Sequence, residues 1–277
     1  MRKLAVVAAQ AAARGFAEII DPGTIDVQKL RRLHDPEYVD AFLKGNDPLA
    51  SSQGWQWTPR IRDGVLAIQA GQLAGAQLAL EEGIAANIAQ GFHHAGYARG
   101  AGFCTFNGLA LVAQEHPDET ICVLDCDEHG GNGTEDFISR LDNLLQCTIN
   151  GSRFGCEDSE RSRCFNLSRI TDNFALYESA LEKSFAQILA WKPDLLIYQA
   201  GADPHIDDPF GSLGMTTAQM QQRDRMVFEF CAKNFIPVLF VLAGGYQEPI
   251  ETRLAPLHVN TFEAAVTAFQ NTANAPE

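Results

Sequence analysis

What is scarce in this chain narrows its function first. Basic residues are outnumbered, 21 Lys and Arg against 35 Asp and Glu, for a formal net charge of −14. No basic stripe exists to displace counterions from phosphates, which disfavours nucleic acid as a partner. An acidic surface instead favours cationic substrates, as well as simple solubility. No apolar run approaches the ~18 residues needed to span a bilayer, so no membrane partner is expected. The seven cysteines, an odd number, form neither a CxxC pair nor a regular spacing. That pattern points to reduced thiols in a cytoplasmic setting rather than a disulfide framework. Internal repeats, low-complexity tracts and long linkers are missing too. The opening MRKLAVVAAQAAARGF starts like a secretory signal, but Gln10 and Arg14 interrupt its apolar run and a helical pattern follows.

What remains is a chain of 277 residues, 46% hydrophobic and 20% charged, enough to bury a sizeable core as one unit spanning 1–277. Short apolar runs end in Gly, Asp or His: ICVLD (121–125), DLLIYQAG (194–201), PVLFVLAGG (237–245) and, less clearly, IAANIAQG (84–91). Each is nearly continuous in apolar residues, as strands covered on both faces of a parallel sheet should be. Between them, apolar positions three and four apart predict helices over 60–83, 134–145, 172–193 and 216–234, with Thr216 or Thr217 capping the last and Pro193 closing the third. The alternation predicts an open, doubly wound α/β fold with a mainly parallel sheet and helices on both faces. Ligands bind such sheets beyond the carboxyl ends of the strands.

Four strand ends carry a coherent set. The first is followed by His93 and His94, the second by the run Asp125-Cys126-Asp127-Glu128-His129-Gly130-Gly131-Asn132, the third by Asp203 and the fourth by Tyr246. A polar residue closing an apolar strand is common by itself, and the 125–132 run also suits a set of caps before a helix; four such ends together are harder to explain that way. Residues two apart in extended chain point to one side, so Asp127 and His129 can grip one ion, with Asp203 completing the set. Catalytic zinc uses about three protein ligands and keeps a position open. Two carboxylates also admit Fe²⁺ or Co²⁺. Asp125 points the same way, but one ion does not need three carboxylates, so a supporting role suits it better.

The ordered series His34-Asp35-Pro36-Glu37-Tyr38-Val39, Gly91-Phe92-His93-His94-Ala95, Gly102-Phe103-Cys104-Thr105-Phe106-Asn107, Asp125–Thr134, Gly201-Ala202-Asp203-Pro204, Asp208-Pro209-Phe210-Gly211 and Gly244-Gly245-Tyr246 resembles the histone deacetylase family, with its acetylpolyamine amidohydrolases and acetoin-utilisation proteins, in a bacterial form. The resemblance covers about residues 30–250. It implies the arginase–deacetylase fold and the hydrolysis of an N-acyl amine or acyl-lysine. It makes Asp127, His129 and Asp203 zinc ligands, and places His93 and His94 beside the activated water as a general base and acid pair, with neither role assigned to one of them. Tyr246 stabilises the oxyanion. Phe103 and Phe210 wall a narrow tunnel, although residues alone would make them core aromatics, and Gly102 offers a backbone contact. Asp125 orients His93 and raises its basicity, and Asn132 orients His94. A structural potassium ion near Asp125, Asp127 and His129, with Thr148 close by, is a further implication. His34 and Tyr38 are expected to be structural; His116 and His258 are read blandly, and His205 is close enough to Asp203 to line the pocket.

Four departures from the family pattern stand out. Asn132 replaces an aspartate found in other branches, and a neutral amide does not stabilise an imidazolium as a carboxylate does, so His94 should protonate less readily than His93. Gly130 and Ala243 replace a histidine and a glycine, from which altered loop packing is expected. No aromatic- or arginine-rich segment is evident ahead of His34, so one tunnel wall is expected to be incomplete or supplied by a neighbouring subunit of a homo-oligomer. Two other functions compete: an arginase-like ureohydrolase, which needs two metal ions, and a non-catalytic binding protein, which needs no acid–base pair.

Overall fold

The computed structural model describes residues 2–273, apart from Arg153, Gly155 and the side chains of residues 272 and 273. Six strands form one sheet: β1 (Ile84–Asn87), β2 (Ile121–Asp125), β3 (Leu144–Asn150), β4 (Ser162–Asn166), β5 (Leu195–Ala200) and β6 (Val238–Leu242). Their spatial order is β1-β6-β5-β2-β3-β4, and every pair is parallel. The helices are α1 (Arg2–Ala13), α2 (Val27–Leu33), α3 (Pro36–Lys44), α4 (Pro59–Glu82), α5 (Gly108–Glu115), α6 (Asn132–Ile138), α7 (Ala175–Trp191), α8 (Thr217–Lys233) and α9 (Ala255–Ala273).

The sheet separates two cores. Alternate residues of one strand project to opposite faces. Cys122 and Leu124 therefore join Tyr177, Leu181, Val227, Phe228 and Phe262 on one face. Ile121 and Val123 join Leu30, Val39, Phe42 and Leu109 on the other. Covering both faces explains why these strands read as continuous apolar runs. Helix ends follow local chemistry: Thr216 and Gln219 form a reciprocal capping box on α8, and Gly83 ends α4 with a left-handed φ of 88°. The opening segment is helical as α1, packed through Val7 and Ala11. Among the described residues, no helix is long and apolar enough to cross a membrane.

The helix expected over 134–145 is corrected. It ends at Ile138, and Leu144 begins β3. Leu144 and Leu145 suit a helical repeat in sequence, but they alternate across the sheet beside β2, one in each core. Neither β3 nor β4 is anticipated by the apolar runs. The 84–91 run is strand only to Asn87.

One buried cation braces the strand ends that matter. Arg223 on α8 donates through Nη1 to the carbonyls of Cys126 (3.2 Å) and Gly201 (2.8 Å), and pairs with Asp224 at 2.8 Å. Asp224 also accepts from the Tyr198 hydroxyl (2.5 Å) and from Thr261 (2.7 Å). Removing one partner of such a buried pair leaves an uncompensated charge, typically costing about 3–5 kcal/mol. Arg223→Leu should lower unfolding free energy by that order in a denaturant titration followed by circular dichroism. A loss under about 1 kcal/mol would mean that the network contributes little.

Candidate metal and acid–base site

The carboxyl ends of β2 and β5 lie level, with Asp125 paired in register to both Gln199 and Thr148. The polar residues that follow these ends meet in one place. Asp127, His129 and Asp203 bring one ligand atom each to within 4.8 Å of one another, the one such three-residue cluster among the described residues. The His129 imidazole Nδ1 lies 3.3 Å from Asp127 Oδ1 and 3.3 Å from Asp203 Oδ2.

Backbone amides hold both carboxylates in position. Gly244 N donates to Asp127 Oδ2 (2.7 Å), and Glu128 N donates to Asp203 Oδ1 (3.2 Å). Asp203 Oδ2 is buried with no hydrogen-bond partner. A buried, unpaired carboxylate oxygen beside a second carboxylate and an imidazole is the arrangement that a divalent cation relieves. The cradle is tight: a Cβ at Gly244 would stand 1.9 Å from Asp203 Oδ2, so only glycine fits there. Burial and the neighbouring Asp127 charge raise the Asp203 carboxyl to about 7. Burial opposes protonation of His129, but the Asp127 and Asp203 carboxylates beside it prevail and raise it to about 10. The donor set therefore fits one dication with open coordination positions.

Beside this cluster the two histidines stack, ring centroids 4.0 Å apart. His93 Nδ1 donates to Asp125 Oδ2 at 2.6 Å, and His94 Nδ1 donates to Asn132 Oδ1 at 2.7 Å. These bonds leave each Nε2 for chemistry. Burial lowers the pKa of His93, but the carboxylates of Asp125 and Asp127 outweigh it and raise it to about 9. Burial and the adjacent His93 lower His94 to about 3, against the weaker pull of Asp127 and Asn132. Burial and the adjacent His93 set that ordering, while the Asn132 hydrogen bond favours protonation of His94 and is outweighed. Gly102, at φ 51°, lies against His94; a Cβ there would come within 2.4 Å of His94 Cδ2. Gly133 plays the same part beneath the pair, where a Cβ would meet the backbone of His93, His94 and Ala95 at 2.5–2.6 Å.

Tyr246 closes the site. Its amide donates to Asp208 Oδ2 (2.8 Å), while Asp208 Oδ1 accepts from Phe210 N (3.0 Å), so one carboxylate joins both loops. Burial, with Asp127 and Asp203 nearby, pushes the Tyr246 phenol well above its ordinary range, so it stays a hydrogen-bond donor at working pH. The Phe210 ring meets Tyr246 edge-on at 4.8 Å, and Phe103 lies 6.1 Å from it. The space enclosed by His93, His94, Asp127, His129, Gly102 and Tyr246 measures about 20 Å³. That is room for about one water.

Several residues of the site escape the sequence reading. Gln199 donates to both oxygens of Asp125 at 3.2 and 3.3 Å; its one signal is a polar residue near the end of the apolar β5 run. Lys3 reaches in from α1 and donates to Ala243 O at 2.7 Å. Burial lowers its ammonium to about 8 against the pull of Asp203, Asp127 and Asp208. Phe154 presents its ring to His94 at 4.8 Å and to His129 at 5.3 Å, and Trp55 leans on Phe103 at 4.9 Å. Both sit in irregular segments with no periodic pattern to place them.

The other histidines serve structure. His34 Nδ1 donates to Gly96 O (2.9 Å) and its Nε2 accepts from Asn107 N (3.0 Å), and burial lowers its pKa to about 4. Tyr38 donates to Thr105 O at 2.6 Å. His205 bonds Thr217 Oγ1 at 3.0 Å and is not among the residues lining the space between the histidines.

Known proteins supply the context for this geometry. The histone deacetylase domain model matches residues 1–262, further toward both ends than the motifs suggest. An uncharacterised protein of Picosynechococcus is 34% identical over 248 residues, covering 84% of this chain and 80% of that protein. Acetylpolyamine amidohydrolase 1 of Pseudomonas aeruginosa is 25% identical over 296 residues, covering 87% and 84%. Histone deacetylase 2 of Arabidopsis thaliana is 30% identical over 190 residues, covering 64% of this chain and 48% of that one. The crystal structure of an acetylpolyamine aminohydrolase from Burkholderia pseudomallei superposes with a TM-score of 0.76 at 16% identity, covering 99% and 90%, and so shares the fold. With the domain model spanning nearly every residue that builds the sheet and the site, the chain belongs to the histone deacetylase family.

Proposed function

We propose that this protein hydrolyses an N-acyl amide, acetyl foremost, on a lysine side chain or a small amine, with zinc held by Asp127, His129 and Asp203. The observation that carries the reading is convergence: Asp127 and His129 of the ligand cluster, two differently partnered histidines and a protonated phenol all border one water-sized space. Fe²⁺ or Co²⁺ would suit the same two carboxylates and imidazole. When bound, the ion supplies Lewis acidity that polarises the amide carbonyl and lowers the pKa of a water toward neutrality.

The residues divide the remaining work. His94 is neutral and offers Nε2, so it accepts the proton of the attacking water. His93, kept cationic by Asp125, faces the developing negative charge and can give a proton to the departing nitrogen. Tyr246 donates to the oxyanion. Asn132 fixes the His94 tautomer without adding a charge. Thr148 Oγ1 is buried with no hydrogen-bond partner beside Asp125, which supports a potassium ion there as a structural element. A two-ion ureohydrolase is less suited, because the one ligand cluster among the described residues has three members. A binding-only protein would leave the acid–base pair without a task.

Zinc-loaded protein should hydrolyse fluorogenic acetyl-lysine or acetylpolyamine and be blocked by a hydroxamate; hydrolysis without any metal requirement would sink the reading. Chelation should abolish activity, and Asp203→Asn should lower zinc binding by at least about tenfold in calorimetry, as loss of a charged ligand implies. Tyr246→Phe should reduce kcat by about 10²–10³ with a smaller change in KM. Asn132→Asp places a carboxylate on His94 and raises its pKa. Because the base must be neutral, the acid limb of the kcat/KM profile should move to higher pH; an unmoved limb would remove His94 from the base role.

A further inference from the structure

A second cavity, of about 440 Å³, adjoins the site and shares Gln90, Phe92 and Tyr246 with the space between the histidines. Its charged lining runs against the composition of the chain. Arg2, Lys3 and Arg60 border it and no carboxylate does, in a protein with 35 acidic and 21 basic residues. Ile61, Val65 and Ile68, on α4, supply an apolar wall between these cations.

The three cations are not equivalent. Arg2 forms an ion pair with Glu251, which offsets its charge. Lys3 is 9% exposed, and its one hydrogen bond goes to a backbone carbonyl rather than to a carboxylate. An ammonium has three donors, so two of its N–H groups have no acceptor among the described residues. Arg60, exposed on the first turn of α4, has no ion-pair partner among the described residues. The carboxylates of Asp203, Asp127 and Asp208 act on Lys3 through space without bonding to it, so an anion arriving in the cavity would meet an ammonium with donors to spare.

We propose that this cavity is an acyl pocket selecting amides of dicarboxylic acids, of the succinyl and glutaryl kind. This rests on the hydrolytic reading above. The reacting carbonyl stands at Tyr246, the methylenes run along the Ile61–Val65–Ile68 wall, and the distal carboxylate is received by Lys3 at the buried end or Arg60 at the exposed end. Hydrolysis then balances as for any amide: water adds across the C–N bond, releasing the amine and a dicarboxylate. The same charges oppose a polyamine tail here, so any cationic part of the substrate leaves by the side of Phe210 and Phe154.

The test compares succinyl-, glutaryl- and butyryl-lysine substrates on the zinc-loaded protein, butyryl being the neutral control of similar length. The dicarboxylyl substrates should exceed butyryl in kcat/KM by about tenfold or more, the scale of one charge-assisted contact, and Arg60→Gln should reduce that ratio by a similar factor. Lys3→Gln should do the same, but Lys3 is buried, so exposed Arg60 carries the test if that variant is unstable. Calorimetric binding of succinyl-lysine and butyryl-lysine separates the two ideas. Butyryl hydrolysis with no preference for the dicarboxylyl substrates, and an unchanged ratio in Arg60→Gln, overturns the pocket and leaves the hydrolase standing. Preferential binding of succinyl-lysine that Arg60→Gln abolishes, without hydrolysis of any acyl group, supports the pocket and overturns the hydrolase. Absence of both binding and hydrolysis overturns both.

Discussion

Two carboxylates, Asp127 and Asp203, face one imidazole in a dry interior, and much of the surrounding structure exists to keep them there. Like charges at such separations repel strongly where water cannot screen them. The fold answers with fixed dipoles and cations. Amides of Glu128 and Gly244 take one oxygen from each carboxylate, and Arg223 ties the carbonyls of Cys126 and Gly201 from behind. Asp127 and Glu128 follow β2, Asp203 follows β5 and Gly244 follows β6, so the parallel sheet is the device that brings the cluster together. Glycine at 244 follows from the same constraint, since any side chain would occupy the place of Asp203.

The histidine pair shows how little sequence is needed to divide two like residues. His93 and His94 are adjacent and stacked, yet one donates to a carboxylate and the other to an amide. A charged partner favours the imidazolium, while a neutral one orients the ring and leaves burial to set its charge. The electrostatics therefore favour a proton on His93 and disfavour one on His94. Tyr246, kept protonated by burial and by the charges of Asp127 and Asp203, remains a hydrogen-bond donor beside the pair.

Legibility in the sequence followed physical cause. Strands β2, β5 and β6 were readable because burial on both faces forces an unbroken apolar run. Strand β3 was not, because Leu144 and Leu145 continue the helical spacing of the segment before them and only pairing with β2 decides otherwise. Strand β4 is an edge strand with intermediate exposure over most of its length, so its sequence SRCFN carries little apolar signal. Asp127 and His129 could be paired from a spacing of two alone. Gln199, Lys3 and Phe154 could not be linked to the site, because their partners lie 74, 240 and 60 positions away: Asp125, Ala243 and His94.

By itself, then, the sequence determined the fold class, the strand ends that gather polar residues and the three side chains that cluster as a dication could require, because apolar run length and a two-residue period are local properties. Tertiary structure alone decided that Lys3 from α1 reaches the loop of Tyr246, that Arg223 braces two ligand loops, and that a cation-lined cavity opens beside the histidines. Those features depend on which distant surfaces are brought together as the two cores close over the sheet. No local pattern encodes a contact between the first helix and the last strand.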